Sequence, residues 1–454
     1  MPRLIVSFPA LIGTSSSDLV VGQEDNGFPV EGNVLPAIGI EVLKNGVINT
    51  QAGNDTIEGS GTGSSSSFDA GTGTGIANSG IINAGIGDDT IFGTGTGGYG
   101  YRSIYEAGIG ISNTQGGYIN GGDGKDLISG LGTSVGIGIQ NTKDSRIDGG
   151  KGDDSIFGTG IGKSFFSEFA IGISNTESSD INGGEGNDSI SGTGTGGTDF
   201  GGGDGTGIFN SGGSHINGGD GNDFITGIGK GSDAEESDPF HSDYYPGEGT
   251  GISNGQGSTI SGGKGNDFLS GTGTGGAGLS DNPFYTIAPS IGTGIVNSGT
   301  ISLDDGNDRI IGTGINKGIG IDNTNGIIYG GVGDDTLTGY GTNTGIQGGT
   351  IDGENGNDYF KARRIDASSN AVSDQGGAIA NVLLKGGAGA DTFDVGYGNA
   401  KIDGGSGSDK LILLGSKSNY IILGNSNNYT IKRDEFTLNV LNVEEIVFFG
   451  TAPL

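Results

Sequence analysis

The chain holds 454 residues, with 104 Gly, no Cys or Trp, and 53 Asp plus Glu against 21 Lys plus Arg, for a formal net charge of -32. This composition excludes disulfides and cysteine-ligated zinc and argues against a nucleic-acid partner. Its glycine is too irregular for collagen and its Ile, Leu and Val too regular for a disordered linker, which leaves a repeat array whose carboxylates resist compaction unless cations neutralise them.

No apolar run is long enough for a membrane-spanning helix, and the stretch Met1 to Gly13, with Arg3 and Pro9, makes a poor secretory signal. Residues 1–45 carry apolar clusters at Leu4 to Val6 and Leu19 to Val21 but no repeat, and are expected to cap the first coil of a solenoid.

From Ile48 a repeat begins. Its turn, in the copy Gly218-Gly219-Asp220-Gly221-Asn222-Asp223, combines glycines that let the backbone reach positive φ with an Asp carboxylate. Such an oxygen-rich turn suits a hard cation. The motif aspartates are Asp55, Asp89, Asp126, Asp154, Asp188, Asp223, Asp267, Asp308, Asp335, Asp358, Asp391 and Asp409. An apolar residue follows each by two positions, from Ile57 to Leu411, and another precedes each by seven, from Ile48 to Ile402. Two unbroken ladders require stacked strands around a shared interior. Ile225 is expected to point into that interior, away from the metal turn.

A Gly-Ile-x-Asn element precedes most copies and ends at Asn78, Asn113, Asn141, Asn175, Asn210, Asn254, Asn297 and Asn323. Asn suits a turn, and its side-chain amide can bond to the same amide one coil away. The path from this Asn to the motif Asp barely changes, whereas the return path doubles in places, always after a Gly-Thr-Gly or equivalent segment. Insertions therefore leave one edge of a solenoid spanning 46–360, whose shortest coils of about 26 to 28 residues suffice for three short strands. The insertions hold Phe68, Tyr99, Tyr101, Tyr105, Phe165, Phe166, Phe169, Phe200, Phe240, Tyr244, Tyr245, Phe284 and Tyr285. These aromatics serve either as a contact surface or as cover for the adjacent sheet.

Residues 361–412 read as a loop or linker followed by the last repeats, with Arg363-Arg364 a solvated charge pair. Residues 413–454 alternate like ordinary strands and form a C-terminal β cap.

The pattern Gly-Gly-x-Gly-x-Asp-x-(Ile/Leu/Phe)-x resembles the RTX, or haemolysin-type, calcium-binding repeat. Clean copies are Gly121 to Ser129, Gly149 to Phe157, Gly183 to Ser191, Gly218 to Thr226, Gly262 to Ser270, Gly330 to Thr338, Gly386 to Asp394 and Gly404 to Ile412. Copies at Asp55, Asp89, Asp308 and Asp358 lack one or both leading glycines. The resemblance implies an all-β, right-handed parallel β-solenoid, RTX-like, with about three short strands per coil, a small β-rich C-terminal cap and multiple Ca2+ ions. The implied ligands are the motif aspartates together with carbonyls of Gly122, Gly124, Gly150, Gly152, Gly184, Gly186, Gly219, Gly221, Gly263, Gly265, Gly331, Gly333, Gly387, Gly389, Gly405 and Gly407. Here one nonapeptide alternates with longer sequence, so the resemblance implies a single calcium-lined edge. It also implies export by type I secretion machinery, guided from the C-terminal region, and folding outside the cell.

The expected role is that of a secreted calcium-binding structural solenoid in a cell-surface layer, sheath, extracellular matrix filament or adhesin. Its expected partners are copies of itself, in filaments or layers, and a cell-surface polysaccharide, and no enzymatic activity is expected. One alternative is a carbohydrate-active β-helix enzyme, whose candidate cluster is His241 with Asp238, Asp243, Tyr244 and Tyr245; His215 reads as a solvent-facing strand residue. Another is a carbohydrate- or ice-binding module on the Thr-Gly-Thr ladder, as at Thr193 and Thr195, which bulky adjoining loops disfavour.

Overall fold

In the computed structural model, residues 2–27, 34–66, 70–100, 106–163, 169–197, 202–234, 245–278, 287–372, 375–425 and 427–449 are described. They wind into a parallel β-solenoid, a coil of which contains three strands, as in Gly205–Asn210, His215–Asp220 and Phe224–Lys230. Each strand pairs in parallel register with its counterpart one coil on: Ile208 lies opposite Ile252, Ile216 opposite Ile260 and Ile225 opposite Leu269.

Period-two alternation explains this arrangement. In Phe224–Lys230, the residues Ile225, Gly227 and Gly229 face inward and Phe224, Thr226, Ile228 and Lys230 outward. Each strand of the coil contributes one apolar ladder, exemplified by Ile208, Ile216 and Ile225, which are at most 2% exposed. The interior between the first and third strands is narrow. A methyl built on Gly227 falls 2.6 Å from Ile252 Cγ1 and closer still to the Gly251 carbonyl oxygen, so only glycine fits. The inward glycines of the Gly-Thr-Gly and equivalent segments thus let the third strand of one coil touch the backbone of the first strand of the next.

The segment expected to cap the N-terminus itself forms a coil. Leu4–Val6, Leu11–Ile12 and Leu19–Asp25 pair in parallel with Ala37–Val42, Val47–Asn49 and Thr56–Thr62. At the other end, Ile421–Asn425, Asn428–Arg433 and Phe436–Leu441 pair antiparallel, while Phe436–Leu441 and Glu445–Phe449 stack in parallel on Tyr397–Gly407 and Lys410–Leu414. Tyr397, Tyr420, Phe436 and Phe448 close the interior there, with the Arg433 guanidinium 3.9 Å from the Tyr397 ring centre.

Two expectations need correction. The stacking continues through the stretch read as a linker, because Tyr359–Arg364 pairs with Thr336–Gly341 and Gly376–Gly389 is a 14-residue strand. Arg363 is not solvated: it is fully buried and donates to Asp394 Oδ1 at 2.6 Å, and Tyr359 donates to the other oxygen of that carboxylate at 2.7 Å. In register Arg363 stands beside Tyr340 and Asp394 beside Lys361, on the face that alternation turns outward. The guanidinium is buried there all the same, and its charge needs the buried Asp394.

The variable connections follow equivalent strands, among them Thr90–Thr96, Ser189–Thr195, Phe224–Lys230 and Phe268–Thr274, and so leave one corner. Of their aromatics, Tyr99, Phe169 and Tyr245 are exposed. Phe68, Tyr101, Tyr105, Phe165, Phe166, Phe200, Phe240, Tyr244, Phe284 and Tyr285 lie outside the described residues, as does His241. His215 is exposed on its strand. Among the described residues no helix is long and apolar enough to cross a membrane.

Candidate metal column

The turn Gly218 to Asp223 uses its glycines for two different reasons. Gly219 and Gly221 have φ of +127° and +146°, which L side chains rarely adopt. Gly218 has ordinary φ, but a methyl there falls 2.5 Å from Asp223 Oδ2 and closer still to the Gly262 carbonyl oxygen of the next coil. Two oxygens therefore converge on one small space that only a glycine leaves open.

Asp223 does not point away from Ile225, as expected. Residues two apart on a strand share a face, and both side chains are buried. The aspartates consequently form a column inside the turn corner. The Asp188 amide donates to Asp223 Oδ1 at 2.7 Å, and the Asp223 amide donates to Asp267 Oδ1 at 2.7 Å. The chain of bonds is unbroken from the Asp18 amide on Asp55 Oδ1 to the Asp409 amide on Glu444 Oε2. Oδ2 of every one of the motif aspartates is buried and meets no hydrogen-bond donor.

Burial pushes Asp126, Asp154, Asp223, Asp308, Asp335 and Asp358 up to about 7. It pushes Asp89, Asp188, Asp267 and Asp391 up to about 6. The amide bond from the preceding coil opposes this rise and nearby carboxylates add to it.

Several site residues were missed in the sequence. Asp18 and Glu444 end the column. Leu11 and Val20 stand at the ladder spacings around Asp18, but Thr14 to Ser17 conceal the glycine motif. The first glycines, Gly121, Gly149, Gly183, Gly218, Gly262, Gly330, Gly353, Gly386 and Gly404, all sit against an orphaned Oδ2. The signal was the glycine pair itself, since φ demands only its second member. The sixteen glycines named as carbonyl donors adopt positive φ. Their carbonyls pack on the equivalent glycine one coil away, as Gly219 O does on Gly263. A second, exposed ladder precedes the aspartates: the Asn222 amide donates to Asn187 Oδ1 at 2.9 Å and the Asn266 amide to Asn222 Oδ1 at 2.7 Å.

The imperfect copies keep the same column. Gln51, Asp304 and Glu354 take positive φ of +74°, +67° and +71° in place of glycine. The first-glycine space is filled by Thr50 beside Asp55, Ala84 beside Asp89 and Leu303 beside Asp308. The Thr50 hydroxyl donates to the Ala84 carbonyl at 2.6 Å, engaging the oxygen that elsewhere faces the orphaned carboxylate.

An orphaned carboxylate oxygen, a converging carbonyl and an all-oxygen donor set fit calcium. Among the described residues no three acidic or histidine side chains converge, so each site would combine one motif carboxylate with backbone carbonyls. A cavity of about 10 Å³, lined by Asp335, Asp358, Gly330 and Gly353 among others, has about the room of one water-sized sphere.

The expected Asn ladder is present as well. Asn175 Nδ2 donates to Asn210 Oδ1 at 2.9 Å, Asn210 Nδ2 to Asn254 Oδ1 at 2.9 Å, and all three residues are fully buried.

A stack of glycine turns around an inward carboxylate column defines a parallel β-solenoid of the metal-turn type. The chain carries RTX calcium-binding nonapeptide repeats, as the resemblance implied: the family model for the RTX calcium-binding nonapeptide repeat (4 copies) matches residues 141–160, 177–200, 210–227, 254–273 and 383–412. No curated protein matches the sequence. Among solved structures, the chain is similar to a hyperactive, Ca2+-dependent, β-helical antifreeze protein from an Antarctic bacterium, with 16% identity over 89% of this chain and 86% of that one and a TM-score of 0.37.

Proposed function

We propose that this protein is a secreted structural solenoid that folds on binding calcium outside the cell and serves in a surface layer, sheath, matrix filament or adhesin, with no catalytic role. The observation that carries the reading is the file of buried Oδ2 atoms, each without a donor, which at every first glycine share an open space with a carbonyl of the next coil. At neutral pH the ionised column opposes folding, and calcium supplies the positive charge that this chain's own residues lack there. Asp126, Asp154, Asp188, Asp223, Asp267, Asp335, Asp358, Asp391 and Asp409 would hold the ions with the converging carbonyls of the next coil, those of first glycines except for Leu303 beside Asp267 and Asn442 beside Asp409, and the turns lock as the carboxylates are neutralised. Low intracellular calcium keeps the chain loose for type I export, and abundant external calcium makes folding one-way. A rod so formed offers repeated surfaces for self-association and for a cell-surface polysaccharide.

The test is circular dichroism at pH 7 with calcium added and then chelated, followed by electron microscopy. A strand-rich spectrum that collapses on chelation, and rods or filaments only with calcium, are expected. A spectrum indifferent to the chelator would overturn the reading.

A further inference from the structure

The faces of the solenoid differ sharply in charge. The strands that lead into the metal turn, Tyr118–Asp123, Arg146–Lys151, Asp180–Glu185, His215–Asp220, Thr259–Lys264 and Thr300–Asp305, all carry charged residues. They border an open, polar groove of about 740 Å³. The strands that follow the turn in the same coils, Leu127–Asn141, Ser155–Gly162, Ser189–Thr195, Phe224–Lys230, Phe268–Thr274 and Arg309–Ile315, contain no Asp or Glu, and their only charges are Lys230 and Arg309. In a chain of net charge -32, this face is free of carboxylates along these coils, whereas nearer the N-terminus Glu58 stands exposed on it in Thr56–Thr62.

Its outward residues are Thr, Ser, Ile, Leu and Phe in register columns: Ser191 lies beside Thr226, and Thr193 beside Ile228. The face is open to solvent where it is most apolar, with Phe224 51% and Ile228 48% exposed. Phe224 also packs edge-on against Phe268 of the next coil, their ring centres 5.9 Å apart. Aromatic residues at the centre of a charge-depleted patch are the compositional mark of a protein interface.

We infer that this face is the lateral docking surface for a second copy of the chain, packed sheet against sheet. The electrostatic argument selects the occupant. Two copies that approach through carboxylate-bearing faces repel, whereas this face lets strongly acidic molecules come within the roughly 10 Å at which sheets stack. Area is sufficient too. Thr90–Thr96 and Thr336–Gly341, which stack on either end of these strands, also lack Asp and Glu. About eight coils at roughly 4.8 Å and about seven residues at roughly 3.3 Å give close to 900 Å² in plan, against the roughly 800 Å² per partner of a standard interface. The inference deepens the self-association proposed above and rests on it.

Sedimentation velocity of the calcium-loaded full chain over a concentration series tests it. The protein is expected to pass from monomer to dimer. Ile228→Glu and Thr193→Glu, each placing a carboxylate on the face, are expected to weaken the dimer about tenfold or more, while His215→Glu on the charged face leaves it unchanged. Circular dichroism of every variant reports folding separately, so a failure of calcium-dependent folding is distinguished from a failure of docking. A wild-type monomer at all concentrations, or a dimer indifferent to both face variants, would overturn the inference. So would a monomer that binds an insoluble neutral polysaccharide or ice and loses that binding in Ile228→Glu and Thr193→Glu, since the face would then belong to that ligand.

Discussion

The Asp126 backbone amide donates to Asp154 Oδ1 at 2.7 Å, and Oδ2 of the same carboxyl meets no donor. The backbone of one coil thus satisfies half of each carboxylate in the next. Like charges stack here because amides reach the inner oxygens, and the remaining demand for positive charge falls on one oxygen per coil.

That arrangement sets the pH dependence of the metal-free protein. Burial raises Asp126, Asp154 and Asp223 to about 7, so the protonated carboxyls favour the folded state. Their contribution is fully present below the ordinary carboxyl range near pH 4 and is lost as pH rises through about 7. With chelator present, thermal unfolding midpoints should fall from pH 4 to pH 8, and saturating calcium should remove most of that fall at neutral pH. A chelated protein that grows more stable with rising pH would contradict the column as described.

Gly218→Ala tests the open space beside Asp223. The added methyl lands 2.5 Å from Asp223 Oδ2, so the expected results are a cost of about 1 to 3 kcal/mol and one fewer calcium by titration calorimetry. Leu303→Gly is the converse, opening the space beside Asp308, and should add one ion. Unchanged stoichiometry in both variants would move the metal elsewhere.

Asn175→Ala interrupts the buried amide ladder. It removes the acceptor of Asn141 Nδ2, 2.9 Å away, and the donor to Asn210 Oδ1. Asn141 Nδ2 keeps the Asp180 carbonyl at 2.9 Å, whereas leaving Asn210 Oδ1 unpaired in the interior costs about 1 to 3 kcal/mol. Thermal unfolding of the calcium-loaded variant should show the loss, with calcium stoichiometry unchanged because the ladder lies at a different corner from the aspartates.

Arg363→Met leaves Asp394 buried with Tyr359 as its remaining side-chain donor. Breaking a buried ion pair on one side costs about 3 to 5 kcal/mol, and amide hydrogen exchange should localise the loosening to the coils around Thr392–Val395. Adding Asp394→Leu should recover much of the loss, because both charges then leave the interior together.

The repeat spacing made the stack legible before any coordinates. Ile216 and Ile225 recur at constant distances from Asp223, so their strands must share an interior, and Asn175 and Asn210 recur where a ladder places them. The alternation also suffices to place Asp223 on the same side as Ile225, because residues two apart on a strand share a face, and this overrides the expectation of an outward metal turn. The N-terminal coil was less legible. Its strands are as short as Leu11–Ile12 and its turn, Thr14 to Ser17, lacks glycine, so only the pairing with Val47–Asn49 shows it as part of the stack.

The sequence by itself determined the repeat, its three-strand coil, its oxygen-rich turn and its acidic excess, because each depends on local spacing and residue type. Tertiary structure decided which oxygens stay unpaired, that Asp18 and Glu444 complete the column, that Arg363 is buried, and that carboxylates avoid one face from Thr90–Thr96 to Thr336–Gly341. These depend on which atoms of one coil meet those of the next, and a distance between coils is not a property of any single stretch of chain.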